Sequence, residues 1–395
     1  MGSIFENSVE EESRRRKKKR NKTILFFSLV GTGVLIGIVV IVCFSYYYAH
    51  RSFSGYDVVS EQARKDSNGV SYLPFHGNLL KYSRDGISLM DDSGETLWNG
   101  GYEMEQPVVD IRGNYVLVAD IGAKMFYVYN GKDQGIGIET TLPIGKAKIC
   151  EDGKAAVLLQ DEDSDVISIY DPYSTAEQLE VEIPTNVLDD GFPLDFDISP
   201  DGNSLVIAYI VVQNGTMENK VCFYNFTEVG QDQNTLVGGK SYETKMISRI
   251  GFVSDDKAAI FFEDGFSLFE NMKKPTEIFE KIFEDEIKSA DFDDENILVI
   301  TGTAGSTDDQ KMYLYNLRGK EELAEKISCK YSDFVMASGE IVFTDAQSCH
   351  IIRKNGSEKF TFDFGKGYDY FLPASSDNRY YYIDEASIQR IKISG

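Results

Sequence analysis

Histidine, tryptophan and proline are scarce in this chain of 395 residues, which holds three, one and nine of them. His50 adjoins an apolar run, leaving only His76 and His350 beyond it, with no His-x-x-x-His pair. A three-histidine zinc or mononuclear iron centre therefore lacks its ligands. Trp98, the single tryptophan, sits in a strand-like segment where packing is its expected role, so a quinone cofactor would lack an aromatic floor. No Gly-x-Ser-x-Gly elbow occurs, and Gly31, Gly33 and Gly37 fall within the apolar run rather than a phosphate-binding turn. Nucleophilic hydrolysis and nucleotide binding thus find no support. The five cysteines show no close metal-ligand spacing. Cys150 and Cys222 are expected as buried free thiols, and Cys329 and Cys349 as a disulfide if their strands are neighbours.

What the chain does have begins with seven consecutive basic residues, Arg14 to Arg20, followed by 21 residues without a charge from Ile24 to Phe44. A helix rising ~1.5 Å per residue crosses a ~30 Å hydrocarbon core in that length. The basic bias before the span predicts a cytoplasmic N-terminus and an outer domain beyond it, with Tyr46, Tyr47 and Tyr48 at the outer interface. A cleaved signal peptide would have a shorter apolar region and a small-residue cleavage site, which the tyrosines do not provide. The reading is a single-pass cell-membrane protein: a disordered basic tail over 1–22, a transmembrane helix over 23–48, a linker with a closing strand over 49–69 and an extracytoplasmic domain over 70–395. The chain holds 40 basic and 64 acidic residues, of which the first 50 positions take 8 and 4. The remaining 32 against 60 give the outer part a net charge of −28, which disfavours nucleic acid as its partner.

Beyond the apolar run, short strand-like segments recur, each ended by Gly, Asn or Asp: Asn114–Ala119, Ala155–Leu159, Ser204–Tyr209, Lys257–Phe262, Asn296–Ile300 and Arg379–Ile383. Each is preceded by a short strand and a polar turn and followed by an aromatic-rich third strand, such as Met125–Asn130 or Lys311–Asn316. Units starting near Val70, Val108, Ala147, Leu194, Ile247, Lys288, Ser332 and Asp369 are spaced by 38, 39, 47, 53, 41, 44 and 37 residues. Four strands at a period near ~40–45 residues predict an all-β fold, a β-propeller. Eight blades fit the count, with seven as the alternative. The last unit supplies three strands, and Tyr56-Asp57-Val58-Val59 is the natural candidate for its missing outer strand, removing a free edge.

Asp92-Ser93-Gly94-Glu95-Thr96-Leu97-Trp98 resembles the repeat of quinoprotein-type propellers, and the turn Ser199-Pro200-Asp201-Gly202 is similar to those of the TolB and WD-repeat types. In layout, residues 14–395 resemble an uncharacterised family of membrane-anchored propeller proteins from anaerobic Gram-positive bacteria. Those motifs are structural, so the resemblance implies a fold and a location but no activity.

Candidate site residues come from the carboxylates. Asp161, Glu162, Asp163 and Asp165, then Asp291, Asp293, Asp294 and Glu295, and Asp255 with Asp256, cluster where turns are expected. These are solvated turns compatible with weak Ca²⁺ binding, and none matches a calcium-binding loop; no cofactor is expected. Asp195 and Asp197 differ, because strand alternation sends both to one face of a first strand, where they are candidates for ligand binding along the axis. Insertions at Gln213–Lys220 and Gly302–Gln310 lengthen the same hairpin of the fourth and sixth units into polar loops on one rim. The favoured function is a non-catalytic binding or scaffold module acting on an envelope protein or wall polymer. The alternatives are a carbohydrate hydrolase or lyase using axial carboxylates, and a sensory or structural subunit of a membrane complex.

Overall fold

A computed structural model describes residues 2–66, 69–132, 134–161, 164–186, 190–213, 215–231, 235–306, 309–375 and 378–395. Glu162 and Asp163 of the first acidic turn lie outside the described residues. The chain divides into two compact units, one built on the N-terminal helix and one on the strands.

The helix runs Gly2–His50 and so includes the tail read above as disordered. From Val30 to His50 it is long and apolar enough to cross a membrane, a property shared by a membrane anchor and a signal sequence. Val34, Leu35, Ile36, Ile38, Val39 and Val40 are all exposed, so apolar side chains cover the whole circumference and no face is suited to water.

The strands form eight four-stranded antiparallel sheets, each with its strands in chain order except the last. Blades 1 to 7 span residues 71–101, 107–139, 144–186, 192–242, 247–282, 286–326 and 333–363. Blade 8 takes three strands from residues 370–394 and its outer strand from Gly55–Ala63, which pairs antiparallel with Ser387–Ser394. Tyr56 opposes Ile393 and Val58 opposes Ile391. The chain thus enters the propeller beside its own last strand.

Second strands read as continuous apolar runs because each is covered on both faces. In blade 2, Val116 and Val118 join the core shared with blade 1, while Leu117 and Ala119 join the core shared with blade 3. A side-chain period of two therefore feeds two interfaces from one strand. Trp98, on the outer strand of blade 1, stacks on Tyr129 of blade 2 with ring centres 5.4 Å apart, the packing role expected of it.

The same geometry separates two cysteines. Cys329 packs in the core between blades 6 and 7, and Cys349 in the core between blades 7 and 8, on opposite faces of the blade 7 sheet. Both are free, as are the buried Cys150 and Cys222, so the pairing considered for Cys329 and Cys349 does not form. Burial raises the Cys349 thiol to about 12 and leaves little thiolate at neutral pH. In the native protein a thiol reagent is expected to modify half-buried Cys329 well before Cys150, Cys222 and Cys349. Mass spectrometry of labelled peptides checks the order; equal rates for all four would contradict this packing.

Candidate functional site

The innermost strands carry charge, and the structure shows where it goes. Asp110 in blade 2, Asp197 in blade 4 and Asp291 in blade 6 occupy equivalent positions, opposite Leu117, Val206 and Leu298 of their second strands. Each accepts a backbone N–H from the next blade: from Ile149 at 2.8 Å, Phe252 at 2.7 Å and Met336 at 3.2 Å. In blades 2, 4 and 6, therefore, one aspartate pins the innermost strand of the next blade. Asp291 is in the strand, not in the acidic turn with Asp293, Asp294 and Glu295.

Asp195 and Asp197 lie together as alternation requires, both buried, and both reach blade 5. Asp195 accepts the Ile250 N–H at 2.9 Å and pairs with Lys146 of blade 3. Asp197 pairs with Arg112 of blade 2 at 3.3 Å, whose guanidinium also donates to the Ile198 carbonyl at 2.7 Å. Lys148 of blade 3 pairs back to Asp110 at 3.1 Å. Burial pushes the Asp197 carboxyl up, against the pull of Arg112 and Lys148. Burial alone would lower the Lys148 ammonium, but Asp110, Asp197 and Asp195 outweigh it and hold it above its ordinary value. Ligand contact by Asp195 or Asp197 would require breaking bonds that join blades 2 to 5.

The acidic turns on the other rim serve as turn caps and inter-blade ties. Asp255 accepts the Asp201 N–H at 3.0 Å, Asp256 the Met272 N–H at 2.8 Å, and Asp293 the Asn296 N–H at 2.8 Å. Lys354 of blade 7 pairs with Asp293 at 2.8 Å.

Free side chains of a different kind appear on the rim of the second-to-third-strand hairpins. In blade 4 the insertion is not a polar loop. Its strands, Ser204–Gln213 and Thr216–Asn225, pair through to Gln213 opposite Thr216, because the β-branched run Ile210-Val211-Val212 extends the ladder. Blade 5 has six-residue strands in the same places and cannot cover this extension. Phe192, Ile210, Asn219 and Tyr242 form one row across the blade 4 sheet, on the face that packs against blade 5. Val212 and Met217 oppose each other farther along that face. Phe192 (53% exposed), Val212 (62%) and Met217 (50%) therefore continue the interior apolar face into solvent. Met246 (43%), whose sulfur meets the Asn219 amide at 3.9 Å, extends it from the blade 5 side.

The second insertion, in blade 6, borders a cleft of about 800 Å³ between blades 6 and 7, lined by Lys288, Gln310, Lys326, Lys330 and Tyr331 among others. Thr307 and Asp308 of this insertion lie outside the described residues. The sequence reading placed both insertions on one rim but missed the latching role of Asp110 and Asp291. The signal for it was an Asp followed by an apolar residue, in Asp110-Ile111, Asp197-Ile198 and Asp291-Phe292, just before each turn.

Among solved structures, the chain is similar to Hsv2p of Kluyveromyces lactis at 9% identity and a TM-score of 0.47, over 75% of this chain and 97% of that one. It is also similar to the β-propeller domain of the trilobed protease from Pyrococcus furiosus, at 13% identity and a TM-score of 0.45, over 73% and 93%. No curated protein matches the sequence. The profile of a family of unknown function, DUF5711, matches residues 49–393.

Proposed function

Starting from a chain that belongs to the DUF5711 family of unknown function, we propose a binding or scaffold module, held at the outer face of the cell membrane by residues 23–48. It engages an envelope protein through the rim of the second-to-third-strand hairpins. The observation that carries this reading is the blade 4 face of Phe192, Val212, Met217 and Met246, four large apolar side chains contiguous with an interior core and left in solvent. Burying such a face against a partner removes apolar area from water at roughly 25 cal/mol per Å². The topology supports the same rim. Gly55 opposes Ser394 at the edge formed by the first-to-second-strand turns, so the chain from the helix joins the propeller at the rim opposite the apolar face.

A photo-crosslinking residue at Val212, in the full-length protein in its own membranes, is expected to capture one envelope protein reproducibly. The same residue at Lys354, on the other rim, is expected not to. Val212→Glu should weaken the association at least about tenfold, ~1.4 kcal/mol, as loss of a central apolar contact does. Capture of the same protein from both rims, or capture indifferent to Val212→Glu, would refute the assignment. The membrane topology is tested separately: external protease should reach residues 51–395 in intact, wall-stripped cells.

A further inference from the structure

The innermost strands of blades 3, 4, 5 and 6 share a β-bulge at the same height. The extra residues are Gly145, Leu194, Ser248 and Lys288. Only in blade 6 is the bulged residue charged, and a bulge re-aims the side chain it inserts. Lys288 lines the cleft between blades 6 and 7, and its ammonium is held by Glu286 at 2.9 Å.

Two further features mark the same place. Lys311 and Lys326 sit directly opposite each other on adjacent strands of blade 6, a like-charge pairing that weakens a hairpin. Lys326 is balanced by Asp309, and exposed Lys330 makes no ion pair among the described residues. The acidic lining is limited to Asp309 and Asp345, on a chain whose acidic residues outnumber its basic ones by 64 to 40. With three lysines against two aspartates in its lining, and Glu286 beside Lys288, the cleft is near neutral and so less acidic than the chain around it. Its volume of about 800 Å³ suits a ligand of several rings rather than a single ion. Tyr331, set edge-on to Phe343 at 5.1 Å, adds an aromatic wall, and Gln310 and Ser328 add neutral hydrogen-bonding groups.

We infer that this cleft binds an anionic saccharide, a sugar unit carrying a carboxylate or a phosphate, with Lys288 and Lys330 on the oxyanion and Tyr331 against the ring. The site is separate from the apolar face of blade 4, so it stands or falls independently of protein docking there.

The test is calorimetric titration of the full chain in detergent with trigalacturonate, glucose 6-phosphate and neutral maltotriose. One anionic probe or both should bind, the responding arm naming carboxylate or phosphate, while maltotriose should not. Lys288→Gln with Lys330→Gln should weaken binding at least tenfold, whereas Lys257→Gln on the opposite rim should leave it unchanged. Should the double variant melt below the parent, Lys330→Gln alone, at an exposed position, carries the comparison, with about a threefold loss expected. Absence of binding by both anionic probes, equal binding of maltotriose, or affinity unaffected by the lysine changes would overturn the assignment.

Discussion

Replacing residues 55–63 with a Gly/Ser run of equal length is expected to lower the melting temperature of the full chain in detergent by roughly 10 °C or more. The strand makes eight residue pairs with Ser387–Ser394, from Gly55 opposite Ser394 to Ala63 opposite Ser387. Net contributions of ~0.5–1.5 kcal/mol per hydrogen bond make such a ladder worth several kcal/mol. For a domain of this size or somewhat smaller, ~1 kcal/mol corresponds to about 2–4 °C. The Tyr56 ring adds contacts with Phe362 of blade 7 and with Phe364 just after it, at 5.1 and 5.5 Å between centres. Its loss would leave the blade 8 edge open and both phenylalanines uncovered. Val59 supplies the control, since it falls at the register shift and is exposed. Val59→Ala should change stability by less than ~0.5 kcal/mol. Equal melting of the strand replacement and the parent would mean that blade 8 does not depend on this strand.

The second large effect belongs to the axial aspartates. Asp197→Ala is expected to cost ~3–5 kcal/mol, because it strands the Arg112 guanidinium and leaves the Phe252 N–H without its acceptor. Asp197→Asn keeps an oxygen for that N–H and should cost less, roughly half as much. Asp291→Ala should fall between them, since its bond to the Met336 N–H is longer, at 3.2 Å, and its ion pair with Arg249 is looser, at 3.7 Å. Denaturant melts of the three variants establish the ranking. Trp98, between blades 1 and 2, reports fluorescence from the blade 2 end of this network. If Asp197→Ala matches the parent in stability, the carboxylate is not a structural tie, and a ligand-binding role for it regains its standing.

The blades were legible because each second strand must be apolar on both faces. That requirement writes runs such as Ala155–Leu159 and Asn296–Ile300 into the sequence at every turn of the ring. Starts expected near Val108, Leu194 and Ser332 are observed at Pro107, Phe192 and Asp333. The closing strand was legible from an unpaired count of three strands. Less visible were features set by neighbours rather than by local pattern. The roles of Asp110 and Asp291 depend on a backbone N–H from another blade, and their own segments offer only an Asp followed by an apolar residue, which does not identify that donor. Lys288 reads as one more polar residue until the register shift beside it is known. The blade 4 insertion was misjudged because Gln213 and the residues after Thr216 are polar, although the β-branched residues before them decide the conformation.

The pairing of Gly55–Ala63 with Ser387–Ser394 also dictates an order of assembly. The strand made first is the one that must wait longest, because its partner is synthesised after every other blade. Until then its hydrogen-bonding groups and the ring of Tyr56 have no native neighbour, and the growing chain is an open arc with an unpaired edge at each end. A contact of such high sequence separation closes slowly, since loop entropy is lost before the pairing returns any stability. Completion of the ring is therefore expected as a late kinetic step, and the interval before it as the period when the chain is most exposed to aggregation or to chaperones.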